Sequence, residues 1–197
     1  MGARKKQIFL CKNNGIEYSA DGNFIYAKKG GEMFRLALFD RNYYKLRMFN
    51  GVPILEIDGV RMHLVRDFDT PLDYSAEVVR MLGIKQGDAV LDTCMGLGYT
   101  AMEASKKGGQ VVTFEISDAV YTLATWNPWS ENLFSEKIGI RRADVSNEIK
   151  NLENGSFSAI IHDPPRVSKA PQLYSLQFYR ELYRAAGRGA RIFHYVG

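Results

Sequence analysis

Four acidic side chains close short strand-like runs. Asp92 follows Ala89-Val90-Leu91, Glu115 follows Gln110 to Phe114, Asp144 follows Ile138 to Ala143, and Asp163 follows Phe157 to His162. A carboxylate at the carboxyl end of a buried strand faces the crevice where open α/β sheets hold ligands, so these four could do chemistry together. Between the first two lies Cys94-Met95-Gly96-Leu97-Gly98. Gly96 and Gly98 allow positive φ and let a ligand lie against the main chain. Glu115, ~20 residues past this turn, can accept both hydroxyls of a ribose, or be a plain loop-facing acid. Asp144 can accept from an exocyclic amine such as that of adenine, or cap a helix. Asp163 leads into Pro164-Pro165-Arg166. The two prolines stiffen the carbonyls beside the carboxylate, and the arginine plane can stack on a base or grip a phosphate or carboxylate. Cys94 reads as a small packing residue in preference to a nucleophile.

Holding these groups requires strands that alternate with helices. Ala101 to Lys107 contains strong helix formers closed by Gly108-Gly109; a second helix through Ala119 to Ala124 stops near Asn127-Pro128. A third runs from Leu173 to Ala186, Gly187-Arg188-Gly189 terminates it, and Ala190 to Tyr195 forms a fifth strand. The pattern predicts an α/β unit over residues 71–197, with a parallel sheet covered on both faces. Residues 1–70 read as a small β-rich subdomain: strand-like alternation from about Lys5 to Val65 is broken by turns at Asn13-Asn14-Gly15, Asp21-Gly22-Asn23, Gly30-Gly31 and Asn50-Gly51. Asp58-Gly59 between two apolar runs is a strong hairpin signal. Arg66 to Tyr74 reads as a linker with Asp67, Asp69 and Asp73 solvated; Ser75 then caps a helix that Gly83 ends. Trp126 and Trp129 could wall an adenine or sit in the core.

Taken together, Asp92-x-x-x-Gly96-x-Gly98, Glu115, Asp144 and Asp163-Pro164-Pro165 resemble the ordered motifs of class I S-adenosylmethionine-dependent methyltransferases, over roughly residues 75 to 197. The resemblance implies a Rossmann-like, doubly wound, mostly parallel sheet with S-adenosyl-L-methionine as cofactor. It implies that the Gly96/Gly98 turn holds the methionine part, Glu115 the ribose, Asp144 the adenine, and that Asp92 orients the amino-acid end. Cys94 stands where the family has its first glycine and narrows the space by the backbone. Family members with Asp-Pro-Pro-aromatic methylate exocyclic or ring amines. Here Arg166 replaces the aromatic, so the resemblance implies amine methylation by Asp163, Pro164, Pro165 and Arg166 without naming the substrate.

Leu173-Tyr174-Ser175-Leu176-Gln177-Phe178-Tyr179 and the Asp58-Gly59 hairpin are similar to segments of spermidine and spermine synthases. That second resemblance implies aminopropyl transfer from decarboxylated S-adenosylmethionine, with Asp163 deprotonating the amine and Asp67, Asp69 and Asp73 attracting a polycation. Arg166 occupies the position of those enzymes' second aspartate, where a positive charge would repel a polyamine. A non-catalytic nucleoside-binding or structural module is the third possibility.

With 197 residues the chain can hold one good-sized core, or a medium domain with an appendage. Its formal charge of +4 permits a polyanionic partner without requiring one, and slightly favours RNA among the methyl acceptors. No apolar run is long enough to span a bilayer and the start lacks a signal-peptide pattern, so a cytoplasmic location is expected. Cys11 and Cys94 are too isolated to suggest a disulfide framework or a metal site. The family sheet normally continues for two more strands beyond the fifth. A second copy of the chain, or a missing C-terminal segment, is expected to cover that edge.

Overall fold

The computed structural model describes residues 8–13, 15–64 and 66–196. Lys5 at the start of the strand pattern, Asn14 of the first turn and Val65 lie outside them. The described N-terminal part forms two antiparallel four-stranded sheets. In one, β1 (Ile8–Asn13), β2 (Ile16–Ala20), β3 (Ile25–Lys29) and β4 (Glu32–Arg35) meander in order. In the other, β5 (Ala37–Asp40), β6 (Asn42–Phe49), β7 (Val52–Ile57) and β8 (Val60–Arg61) do the same. Asp58 and Gly59 both take positive φ, 50° and 78°, as a tight hairpin between β7 and β8 requires.

The remainder alternates as expected: α1 (Pro71–Leu82), β9 (Ala89–Asp92), α2 (Tyr99–Lys106), β10 (Gln110–Phe114), α3 (Asp118–Trp126), β11 (Ile138–Arg141), α4 (Val145–Glu148), β12 (Phe157–His162), α5 (Leu176–Ala185) and β13 (Ala186–His194). The sheet is parallel throughout, in the order β11-β10-β9-β12-β13. The chain winds outward through β10 and β11 on one side of β9 and through β12 and β13 on the other. The direction reverses between β9 and β12, where such sheets open a crevice at their carboxyl ends.

Side-chain alternation explains why both faces are covered. Val90, Val111 and Ile161 pack with α1, α2, α3 and residues of the antiparallel sheets such as Leu46 and Leu55. Leu91, Phe114 and Ile160 point the other way, onto Val145, Phe178 and Leu182 of α4 and α5. The two architectures therefore share one core. A buried hydrogen bond reinforces the junction: the Tyr99 hydroxyl donates to the Pro53 carbonyl at 2.9 Å.

Three local expectations need correction. The first helix starts at Pro71, not after Ser75: Thr70 is its N-cap, accepting from Asp73 N–H, and proline suits the first helical position because its missing N–H would be unpaired there anyway. Ser75 lies inside the helix and donates to Pro71 O, while Asp73 sits in its first turn. The segment after β12 is a 3-10 turn, Pro171–Tyr174, followed by α5, which Ser175 caps. Gly187-Arg188-Gly189 belongs to β13, where an irregularity in the pairing with β12 accommodates it. β13 forms one edge of the sheet, with Ile192 exposed. Among the described residues, no helix is long and apolar enough to cross a membrane.

Candidate active site

The loop after β9 is laced to both neighbouring strands. Thr93 N–H donates to Ile161 O at 3.0 Å and Met95 N–H to Phe114 O at 2.8 Å, which fixes the turn against β12 and β10. The next bond closes it: Gly96 N–H donates to Glu115 Oε2 at 3.1 Å, and the other oxygen of Glu115 accepts from Ser117 N–H at 2.9 Å. Glu115 is thus a bracket for the glycine turn with acceptor capacity to spare, since a carboxylate offers about four lone-pair directions.

Gly96 and Gly98 are glycine for different reasons. At Gly96, with φ of 53°, a Cβ would meet nothing within 4 Å, so its bare backbone faces open cavity. At Gly98, with φ of 78°, a Cβ would lie 2.5 Å from Leu133, which is fully buried. Gly96 thus leaves open space beside its backbone, whereas Gly98 is explained by its conformation and its packing.

A cavity of about 380 Å³ opens at the strand tips, and Cys94, Gly96, Gly98, Glu115, Asp144 and Asp163 all line it, with Pro164 and Pro165. Asp144 caps α4, accepting from Ser146 N–H at 2.8 Å, while it borders the cavity. Asp163 is held from the opposite wall: the Tyr74 hydroxyl, from α1, donates to Asp163 Oδ2 at 2.9 Å. Phe68 and Phe193 pack edge-on against the Tyr74 ring and set its direction.

Two expected site residues are not on the cavity wall. Asp92 is fully buried behind the turn, accepts from the Thr113 hydroxyl at 2.8 Å, and has an Oδ1 with no hydrogen-bond partner. Arg166 is exposed, and it is Lys169 of the same loop that reaches the lining. Nor do the tryptophans wall the cavity. Trp126 packs against Phe34 of β4, and Trp129 lines a separate groove beside α1 and α2.

Sequence reasoning missed several participants. Leu173 O can only accept, so His162 Nε2, 3.0 Å away, carries the proton and Nδ1 accepts from the Thr93 hydroxyl at 2.8 Å. This buried chain ties the turn to β12 just before Asp163. His162 also stacks on His194 at 4.6 Å, and burial pushes its pKa down to about 4, keeping it neutral. Tyr74 went unnoticed because its segment reads as linker.

Desolvation dominates the electrostatics. Burial raises Asp92 and Glu115 to about 7 and Asp163 to about 6, although the hydrogen bonds each carboxylate accepts pull the other way. Burial also pushes the Cys94 thiol up, which suits a packing residue more than a nucleophile. Glu115 and Asp163, two partly dehydrated carboxyl groups on the wall of one cavity, match an occupant rich in N–H and O–H donors and carrying positive charge. The residues fit a sulfonium nucleoside on two observations: the bare Gly96 backbone and this acceptor-rich wall.

No family model matches the chain. It is 44% identical over 200 residues to the uncharacterized protein MJ1233 of Methanocaldococcus jannaschii, spanning 98% of this chain and 69% of that protein. A 90-residue stretch is 29% identical to the 23S rRNA (uracil(1939)-C(5))-methyltransferase RlmD of Legionella pneumophila, covering 46% of this chain and 20% of that enzyme. In fold it is similar to a spermidine synthase solved in complex with the transition state analogue AdoDATO: TM-score 0.64, 15% identity, 77% of this chain and 54% of that one. The chain therefore spans about half of that synthase and a fifth of RlmD.

Proposed function

We propose that the chain, which belongs to one family with the Methanocaldococcus protein MJ1233, is a class I S-adenosylmethionine-dependent methyltransferase that methylates an amine nitrogen, with RNA as the carrier of that amine. S-adenosylmethionine is the cofactor, and when bound it supplies an electrophilic methyl carbon on a sulfonium. What remains for the protein is to hold, orient and accept protons.

Glu115 would hold the ribose hydroxyls with the lone pairs that Gly96 and Ser117 leave free, and the Gly96 backbone would lie along the methionine part. Asp144 would accept from the adenine amine. Asp92, away from the wall, acts through the turn it supports. The observation that carries the reading is the position of Asp163: a carboxylate at the tip of β12, one oxygen fixed by Tyr74, facing the same cavity as Glu115 and the glycine turn. With its pKa raised to about 6 by burial, Asp163 is mostly ionised at neutral pH. It accepts a hydrogen bond from the attacking amine and takes up the proton that the amine sheds. Pro164 and Pro165 hold the adjoining backbone stiff. Arg166, exposed beside them, would contact a phosphate outside the cavity. RNA as the carrier is supported by the RlmD stretch and by the net charge of +4.

Aminopropyl transfer is a second reading that one observation favours. The positive charge of Arg166 would repel a polyamine at the mouth, yet Arg166 does not line the cavity. Incubation with S-adenosylmethionine labelled on its methyl group decides between them: label in RNA or another amine supports methyl transfer. Turnover only with the decarboxylated cofactor and a diamine supports the second reading and ends the first.

A further inference from the structure

One polar side chain in the cavity has no part in the chemistry above. His63 follows β8 and lines the wall made by the second antiparallel sheet, among Leu55, Ile57, Met62 and Leu64. Leu55 N–H donates to His63 Nδ1 at 3.2 Å. That nitrogen must therefore present its lone pair, and in a neutral imidazole the proton then sits on Nε2. Burial lowers the His63 pKa to about 4, so the ring is neutral at physiological pH. The Tyr99 ring, 5.5 Å away, steadies it. Among the described residues none accepts from Nε2. Partly buried His63 lines the cavity, and an occupant that displaces water from its Nε2–H must bring an acceptor atom or leave that donor unpaired. Asp163, elsewhere on the wall of the same cavity, has the complementary need for a donor.

We propose that His63 Nε2–H is a specificity-determining donor of the methyl-acceptor subsite, and that this subsite takes a flat heteroaromatic base with a ring nitrogen or carbonyl oxygen on His63 and its exocyclic amine on Asp163. The inference rests on the methyl-transfer reading and names its substrate class. Adenine and cytosine each carry an exocyclic amine next to a ring-nitrogen acceptor. A protonated polyamine carries donors only and would leave the His63 N–H unpaired.

The test uses ¹⁵N-labelled chain saturated with S-adenosylhomocysteine, and long-range ¹H–¹⁵N correlation on the His63 ring. The expected result is the Nε2–H tautomer, with the Nε2 signal moving on addition of cytidine or adenosine and not on addition of putrescine. His63→Phe should weaken nucleoside binding about tenfold, the loss of one hydrogen bond, while S-adenosylhomocysteine binds as before. His63→Gln, which keeps a side-chain N–H, should recover part of that loss. An Nδ1–H tautomer, a response to putrescine alone, or S-adenosylhomocysteine binding with no nucleoside response at His63 would overturn the proposal. Failure of S-adenosylhomocysteine to bind would instead remove the methyl-transfer reading, and the nucleoside titration of the unsaturated chain would still decide the role of His63.

Discussion

The Tyr74 hydroxyl reaches across 89 residues of sequence to donate a 2.9 Å hydrogen bond to Asp163, joining the helix that enters the α/β unit to the tip of β12. The bond stabilises the ionised carboxylate against a burial that favours the proton. Tyr74→Phe leaves burial unopposed, so the acidic limb of the rate-against-pH profile should move up by roughly half to one pH unit. Cofactor affinity should hardly change. A profile that does not move would show that Tyr74 only fills space.

Asp163→Asn keeps the shape of the residue and loses its capacity to take a proton. Turnover should fall by roughly a hundredfold or more, with the cofactor dissociation constant nearly constant. In the wild type, activity should rise as pH passes through about 6, where Asp163 ionises. A loss of cofactor binding in the variant, with turnover per bound cofactor unchanged, would reassign Asp163 to cofactor binding.

Folding stability should show the same acids. Asp92, Glu115 and Asp163 have folded pKa values raised to about 7, 7 and 6, above the ordinary carboxylate range. Each holds its proton more tightly folded than unfolded, so the native state binds more protons between about pH 4 and 7. Their contribution to stability therefore declines as pH rises through that window. Glu56 and Asp88, held low by Lys45, Arg47 and Arg191, work in the opposite sense at lower pH. Asp92→Asn removes the largest of the upward shifts and should flatten the decline in melting temperature between pH 5 and 8. A decline as steep as the wild type's would mean that Asp92 does not titrate there.

The two glycines of the turn should separate stability from binding. Gly98→Ala meets buried Leu133 and needs φ of 78°, and should cost roughly 2–4 kcal/mol of folding stability. Gly96→Ala has room for its methyl group and needs φ of 53°, so its stability cost should be only about 1–2 kcal/mol. That methyl group projects into the cavity and should reduce cofactor affinity. Denaturant melts alongside cofactor titration of both variants check the contrast, and equal effects on both properties would remove the distinction.

The sequence made some of this legible and hid the rest for physical reasons. The acids at strand ends and the glycine turn depend on local grammar: a short apolar run, a carboxylate, a bend. Asp-Thr-Pro before the first helix misleads because proline reads as a breaker, although at the first helical turn it needs no N–H partner. The Gly187-Gly189 pair reads as a helix stop, yet the space they fill lies inside β13, where a side chain on Gly187 would meet the Gly155 carbonyl at 2.9 Å. Tyr74, His63 and the Thr93–His162 pair escape any local reading, since each becomes meaningful only when distant elements meet. Arg166 shows the converse: adjacency to Asp163 in sequence does not put it on the cavity wall.

The central claim is that a sulfonium nucleoside binds across the tips of β9, β10 and β12, held through Glu115 and the Gly96 turn. Titration calorimetry with S-adenosylmethionine, on the wild-type chain and on Glu115→Ala, tests it most directly. The account predicts one molecule bound per chain, with affinity falling at least about tenfold in the variant as acceptors for the ribose hydroxyls are lost. No binding to the wild type, or equal binding to a folded Glu115→Ala chain, would contradict it.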